Sequence, residues 1–323
     1  MVTVVTQGFR YELAPTQAQV RTLRHYCSVY RQVYNRYISA KRSWWEENKG
    51  LPKILRRKTD TSNGMSREIT AELARDLALP AEARCPKLAA IRSAPRHLVT
   101  YALQTADLAY GNWFASGKDG AWTKPPRFKS AHDPKHMRFS MQVQTTRADL
   151  AGGRSGVRPF QHSRGFTLTK LGLLRAKEPT AKLKGRPTHV TISEHAGRWY
   201  ISVTCLEVPR EVPDRTDTER VGVDLGVRKL ATLSTGEFIA ESPEVLAGMT
   251  RAEKRIKRLQ RSMSRKENEA RANGCWDKYA TSKGYQRVKR KFQVAHAKAA
   301  RQRLDRSHKL TTRLVKEFRT VVI

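Results

Sequence analysis

Asp224 is the single acidic residue in an otherwise apolar, glycine-containing run, Val221-Gly222-Val223-Asp224-Leu225-Gly226-Val227. Such a run predicts a strand. A carboxylate set inside it is costly to bury unless a metal, a cation or hydrogen-bond donors face it. The residue type therefore points to a helper ligand beside Asp224, whether a metal, a cation or hydrogen-bond donors; a turn or salt-bridged carboxylate is the plainer alternative. Two-metal chemistry requires several carboxylates, so Asp224 by itself is an incomplete metal site.

The elements that must position Asp224 follow it directly. Leu230 and Leu233, then Phe238 and Ile239, flank Ser234-Thr235-Gly236 and predict a hairpin, so three successive strands open as in an RNase H-like domain. In nucleases of that fold the first-strand Asp joins carboxylates from later strands around two Mg²⁺ ions. The Val-Asp-Leu-Gly pattern also marks phosphate loops of actin-like ATPases. Those proteins open with this strand and continue into Thr- or Ser-rich contacts, whereas here a long basic region precedes it and Val227-Arg228-Lys229 follows. The last residues, Val321-Val322-Ile323, read as an apolar strand broken off in mid-run, so the machinery begun at Asp224 is expected to need residues beyond this chain.

Between hairpin and end, residues 249–264 and 285–318 are patterned as long two-faced helices. Ile256, Leu259 and Met263 form one apolar stripe, and Val288, Phe292, Ala295 and Ala299 another. The second helix carries Arg287, Lys289, Arg290, Lys291, Lys298, Arg301, Arg303, Arg306, Lys309 and Arg313, too many cations for local acids to neutralise. A solvated helix face usually mixes both signs, so a phosphate backbone is the expected partner.

Composition agrees. The 323 residues include 63 Lys and Arg against 29 Asp and Glu, and the resulting +34 charge calls for a polyanion such as nucleic acid. A membrane partner is not expected, because no apolar run approaches the ~20 residues a span requires and the cations are spread along the whole chain. Met1-Val2-Thr3-Val4-Val5 lacks the features of a secretory signal, which predicts a cytoplasmic location. Cys27, Cys85, Cys205 and Cys275 are too far apart for a Cys-x-x-Cys half-site, so zinc is not expected and buried free thiols are.

Upstream of Asp224 two further blocks are legible. A strand-like lead through Phe9 and Tyr11 gives way to Pro15-Thr16-Gln17-Ala18-Gln19, a capping box with Thr16 as N-cap. The helix it starts has Val20, Leu23, Cys27, Tyr30, Tyr34 and Tyr37 on one face, the spacing of a core stripe. The basic stretch 51–65 predicts a loop, and 66–77 and 95–114 predict helices, the second with Leu98, Tyr101, Ala102, Thr105, Leu108 and Ala109 inward. After Gly117 comes Lys124-Pro125-Pro126-Arg127-Phe128-Lys129, where Arg127, Phe128 and Lys129 are candidate nucleic-acid contacts. Strands at Phe166/Leu168, at Val190/Ile192 and from Trp199 to Cys205, the last two joined by a turn at His195-Ala196-Gly197, predict a small antiparallel sheet or barrel.

With these residues in view, the chain resembles the TnpB (OrfB) proteins of insertion sequences, which are RNA-guided DNA nucleases and transposase-associated proteins. The resemblance covers nearly the whole chain. It is carried by Phe9-Arg10-Tyr11-Glu12-Leu13-Ala14-Pro15-Thr16, Pro126-Arg127-Phe128-Lys129-Ser130, Gly197-Arg198-Trp199-Tyr200, Val221-Gly222-Val223-Asp224-Leu225-Gly226, Tyr285-Gln286-Arg287-Val288-Lys289-Arg290-Lys291 and His308-Lys309-Leu310-Thr311-Thr312-Arg313-Leu314-Val315. It implies an α+β multidomain fold: a first barrel strand at 1–14, a helical recognition lobe at 15–118 inserted in a small wedge-like β-barrel at 119–210, a linker at 211–220, and the N-terminal part of a RuvC-type, RNase H-like domain at 221–323. It implies a guide RNA and target DNA as partners, Mg²⁺ as cofactor, and Asp224 in the place of the first catalytic carboxylate. The family's second and third carboxylates and its zinc ribbon have no counterpart in these residues. The expectation is therefore a C-terminally truncated, cleavage-incompetent member, with a guide-directed, non-cleaving DNA-binding repressor as the alternative.

Overall fold

A computed structural model of the chain describes residues 2–50, 86–116, 123–131, 133–143, 161–211, 220–226, 230–275, 277 and 281–322. The expected loop at 51–65, the helix at 66–77 and Cys85 lie outside them. The chain divides into two compact units, Met1–Arg210 and Glu211–Ile323.

The first unit opens with strand β1 (Val2–Leu13) and helix α1 (Gln17–Asn48). The capping box forms as expected: Gln19 N–H donates to Thr16 Oγ1 at 3.3 Å and Thr16 N–H donates to Gln19 Oε1 at 3.0 Å. The Gln19 side-chain amide also donates to the Leu173 carbonyl at 2.9 Å, so one residue both starts the helix and ties it to a strand. The buried stripe of α1 is wider than predicted, adding Tyr26, Val29, Val33 and Ile38 to the expected positions. Helices α2 (Pro86–Ser93) and α3 (Arg96–Ser116) follow. α3 buries Leu98, Ala102, Leu103, Ala106 and Tyr110, whereas Leu108, expected inside, is 64% exposed. The face is rotated because α3 packs against both α1 and the next strand.

That strand is β2 (Arg138–Gln142), preceded by a 3₁₀ turn at Pro134–His136. Strands β3 (Gln161–His162), β4 (Gly165–Leu168) and β5 (Gly172–Arg175) make a three-stranded antiparallel sheet. β6 (Arg186–His195) and β7 (Arg198–Glu211) form a hairpin whose two-residue loop, Ala196-Gly197, has φ of 53° and 79°, the doubly positive turn that suits strand twist. The larger sheet runs β1-β7-β6-β2. Its end strands do not meet among the described residues, so the expected barrel is not closed. Instead α1 and α3 pack on β2, and a helical layer completes the core that a curled sheet would otherwise have to close. The edge-to-face pair Tyr26–Phe139, with centroids 5.7 Å apart, lies in that helix–sheet layer.

The second unit contains β8 (Arg220–Asp224), β9 (Ala231–Leu233), β10 (Phe238–Ile239), α4 (Pro243–Ala272), α5 (Lys283–Glu317) and β11 (Thr320–Val322). The sheet order is β10-β9-β8-β11. The predicted hairpin is present, β8, β9 and β10 run antiparallel in succession, and β11 lies parallel to β8. Its core is small: Val221, Val223, Ala231 and Leu233 close against Leu314 of α5. The two long helices pack on each other.

Gly185 precedes β6 at φ 79°, and a Cβ there would stand 2.4 Å from the Leu206 carbonyl oxygen of β7. Gly185→Ala is expected to cost about 1–3 kcal/mol through strain and displacement of β7, read as a lower urea midpoint. An unchanged midpoint would show that the hairpin base is not held this tightly.

Candidate nucleic-acid interface

Alternation in β8 sends Val221 and Val223 into the core and leaves Gly222 and Asp224 on the other side. Gly222 is fixed there by Ser234, whose hydroxyl accepts from Gly222 N–H at 2.9 Å while its own N–H donates to the Gly222 carbonyl at 2.9 Å. Asp224 is the last residue of the strand and is exposed, not a buried mid-strand acid as its apolar neighbours suggested. Water can solvate it, which removes the need for a compensating partner. Across the ladder it faces Thr232. Among the described residues no three His, Cys, Asp or Glu side chains converge to hold a metal. A two-Mg²⁺ site does not fit the carboxylates described, and no metal-dependent step is derived from them.

The Arg127-Phe128-Lys129 segment is held against α1. Asn35 clamps the backbone of Lys129, its amide donating to the carbonyl at 2.9 Å and its side-chain oxygen accepting from the N–H at 2.8 Å. The Lys129 ammonium lies 3.5 Å from the ring centre of Tyr34 and 4.9 Å from that of Tyr30. Burial, with Arg138 adding a smaller effect, pushes its pKa down to about 8. Lys129 thus turns inward, leaving Arg127 and Phe128 as the exposed members of the trio. Phe128 is 46% exposed and carries the Arg42 guanidinium over its ring at 4.7 Å. That arginine also donates to the Pro126 carbonyl at 3.3 Å. Arg42 was not foreseen, because its partner lies more than eighty residues away.

On α5 the predicted cations separate into two groups. Arg306 pairs with Glu241 at 3.0 Å, Lys309 with Asp305 at 2.9 Å, and Arg313 with Glu237 at 2.8 Å and Glu317 at 2.9 Å. These three are neutralised locally, against the expectation that acids were too few. Hydrogen bonds to Arg313 hold the Glu237 carboxyl below its ordinary range. Arg287, Lys289, Arg290, Lys291 and Lys298 are exposed and have no carboxylate at ion-pair distance among the described residues. Arg301 is half-buried and has a partner of its own. On α4, Lys257, Arg258, Arg261 and Arg265 are exposed along one side, and the i, i+4 recurrence of 257, 261 and 265 is the sequence signal for that side. Cys27 and Cys205 are buried free thiols, whereas Cys275 is exposed.

Residues 203–323, which include the strand ending at Asp224 and both basic helices, match a family of IS605-type OrfB proteins described as "Probable transposase", and residues 1–50 match that family's helix-turn-helix domain. Both matches are to IS605-type OrfB, or TnpB, proteins, which the chain therefore resembles over these two segments. A protein of Streptomyces pristinaespiralis, provisionally named an RNA-guided DNA endonuclease, is 29% identical over 328 residues, covering 100% of this chain and 67% of its own. A second relative, Escherichia coli K12 InsQ, also provisionally named an RNA-guided DNA endonuclease, is 27% identical over 320 residues, covering 98% of this chain and 65% of its own. The chain thus spans about two thirds of the length of these relatives. In this chain the described part of residues 1–50 is a strand followed by one unbroken helix with its wide face in the core, so no second helix follows across a turn there. No helix among the described residues is long and apolar enough to cross a membrane.

Because the folded state holds Lys129 near pKa 8 and the unfolded chain returns it to its ordinary 10.5, the unfolded state binds the extra proton between those values. Stability referred to this side chain therefore rises with pH through that window. Urea unfolding of wild type and Lys129→Met is expected to show the wild type gaining on the variant from pH 7 to pH 10. A difference that stays constant would place Lys129 in solvent.

Proposed function

We propose that this chain is the nucleic-acid-holding portion of a TnpB-type RNA-guided DNA endonuclease, binding a guide RNA and its target DNA in the cytoplasm. The observation that carries this reading is the set of exposed α5 cations without acidic partners among the described residues, set beside two relatives that span this chain and are provisionally named for that activity. Such a surface grips phosphates by charge and leaves sequence choice to base pairing. The succession β8-β9-β10 with β11 parallel to β8 supports an RNase H-like, RuvC-type assignment of the second unit. The inserted position of α1–α3 between β1 and β2 supports a recognition-lobe role for those helices.

In this reading Asp224 is the first catalytic carboxylate, and the 323-residue polypeptide alone binds but does not cut. A single exposed carboxylate does not position two metal ions. Crosslinking the tagged chain in cells and sequencing the bound RNA is expected to enrich one RNA class, and the purified complex with Mg²⁺ is expected to leave matched DNA intact. Cleavage that is lost in Asp224→Ala would overturn the inactivity; diffuse RNA without enrichment would overturn guided binding. Asp224→Ala is expected to leave RNA affinity nearly unchanged. Neutralising Arg287, Arg290 and Lys291 together should weaken binding and lower the steepness of its salt dependence by about three. Equal losses in the two variants would remove the division between holding and cutting.

A further inference from the structure

We propose that the outward side of α4 is a second phosphate-tracking site, binding nucleic acid through its backbone without regard to base sequence. The proposal rests on the nucleic-acid-binding reading above and adds a surface that the α5 cations do not include.

α4 has two unlike sides. Ile256, Leu259 and Met263 are half-buried at helical spacing, on a helix whose packing partner is α5. On the opposite side Arg251, Lys254, Arg258, Arg261 and Arg265 recur every three or four residues, and all are exposed. At 1.5 Å per residue this row runs about 21 Å. A nucleic-acid strand carries one phosphate per ~3.4 Å of axis, so the row faces about six phosphates.

Acids do not match these cations. Between 251 and 265 the only acidic residue is Glu253, and among the described residues no ion pair involves that stretch; the pair Arg271–Glu267 at 2.7 Å lies at the far end of the helix. The other residues lining the shallow groove with Lys257, Arg258, Arg261 and Arg265 are Gln260, Ser264 and Asn268, all able to donate a hydrogen bond to phosphate oxygen. None is aromatic or apolar. Base stacking and wedge insertion are therefore not available on this side, in contrast to the exposed Phe128. A membrane surface is also a poor fit, because the apolar stripe that would enter the acyl boundary is the half-buried side. A regularly charged polymer fits a regular row of cations better than a single acidic patch does.

The test uses the full chain. Lys257, Arg258, Arg261 and Arg265 are changed together to Gln, with a second variant in which the three arginines become Lys. Affinity is measured against salt for two single-stranded RNAs of unrelated sequence, an RNA duplex and a DNA duplex, and circular dichroism records helix content. The Gln variant is expected to retain its helix and to lower the salt slope by about three, with the same fold-loss on both unrelated RNAs. The Lys variant should keep the wild-type slope, and the duplex that shows the loss identifies which polymer lies on α4. An unchanged slope in the Gln variant while wild type binds RNA would overturn this site and leave the proposed function standing. A loss confined to one RNA sequence, or a Lys variant as impaired as the Gln variant, would also overturn it. Wild type that binds no nucleic acid in any arm would bring down the underlying reading.

Discussion

Like-charge crowding on two long helices is the constraint around which the second unit is organised. α4 and α5 pack on each other, their half-buried apolar residues at helical spacing include Ile256, Leu259, Met263, Val288 and Phe292, and α4 has no fully buried residue among those described. Against this thin apolar seam stand like-charge neighbours at helical i, i+4 spacing, among them 254/258, 257/261 and 261/265, each of which works against the helix. The i, i+4 separation of ~6 Å is shorter than the ~8 Å over which physiological salt screens charge, so solvent ions only partly relieve the repulsion. A polyanion would relieve it much more fully, so the proposed binding of nucleic acid would couple the order of these helices to that ligand.

The few acids of the unit are not spread evenly over this problem. Glu237 and Glu241 come from the β9–β10 hairpin and the segment after it, and they reach the C-terminal half of α5, where Asp305 and Glu317 add pairs within the helix. That same half carries Leu314, buried in the sheet core, and Leu310, packed against it. Ion pairs and sheet-core burial thus act together at the C-terminal end of the helix, anchoring it to the strands that present Asp224, whereas Tyr285 and Ala297 are buried nearer its start. At the other end Arg287, Lys289, Arg290, Lys291 and Lys298 are exposed and pair with no carboxylate among the described residues. The helix is polarised along its length into an anchored part and a part with surplus positive charge. Exposed ion pairs contribute little to stability singly, so positioning α5 is the better account of the Arg313 fork than strength is.

Much of this was legible in the residues, and the failures have physical causes. The capping box at Thr16, the β6–β7 hairpin and the β9–β10 hairpin are set by local chemistry over a few residues, and each forms where the sequence puts it. Leu108 was misplaced because a single-stripe template assumes one packing partner, and α3 has two. The barrel did not close because periodicity reports which side of a strand is apolar, but not whether a helix or another strand covers it. Lys129 read as a free cation since nothing local says that Asn35, Tyr30 and Tyr34 gather around it. Counting charges likewise could not foresee that Arg306, Lys309 and Arg313 would find carboxylates.

Asp224 shows how strand position decides the meaning of a residue type. Inside an apolar ladder the same carboxylate would require a built partner, because desolvation without one is costly. At the terminal position of β8, beyond the last core-facing valine, it keeps its hydration and remains available to a cation approaching the end of the sheet. β11 runs parallel to β8 with Val322 opposite Gly222, so the two strands reach the same end of the sheet in the same direction. In open sheets with parallel neighbours, ligands gather at the carboxyl ends of the strands, where side chains from adjacent strands converge. The anchoring of α5 beside these strands follows the same logic, since a short sheet with a five-residue core needs its longest helix fixed before its end can present a carboxylate in a defined place.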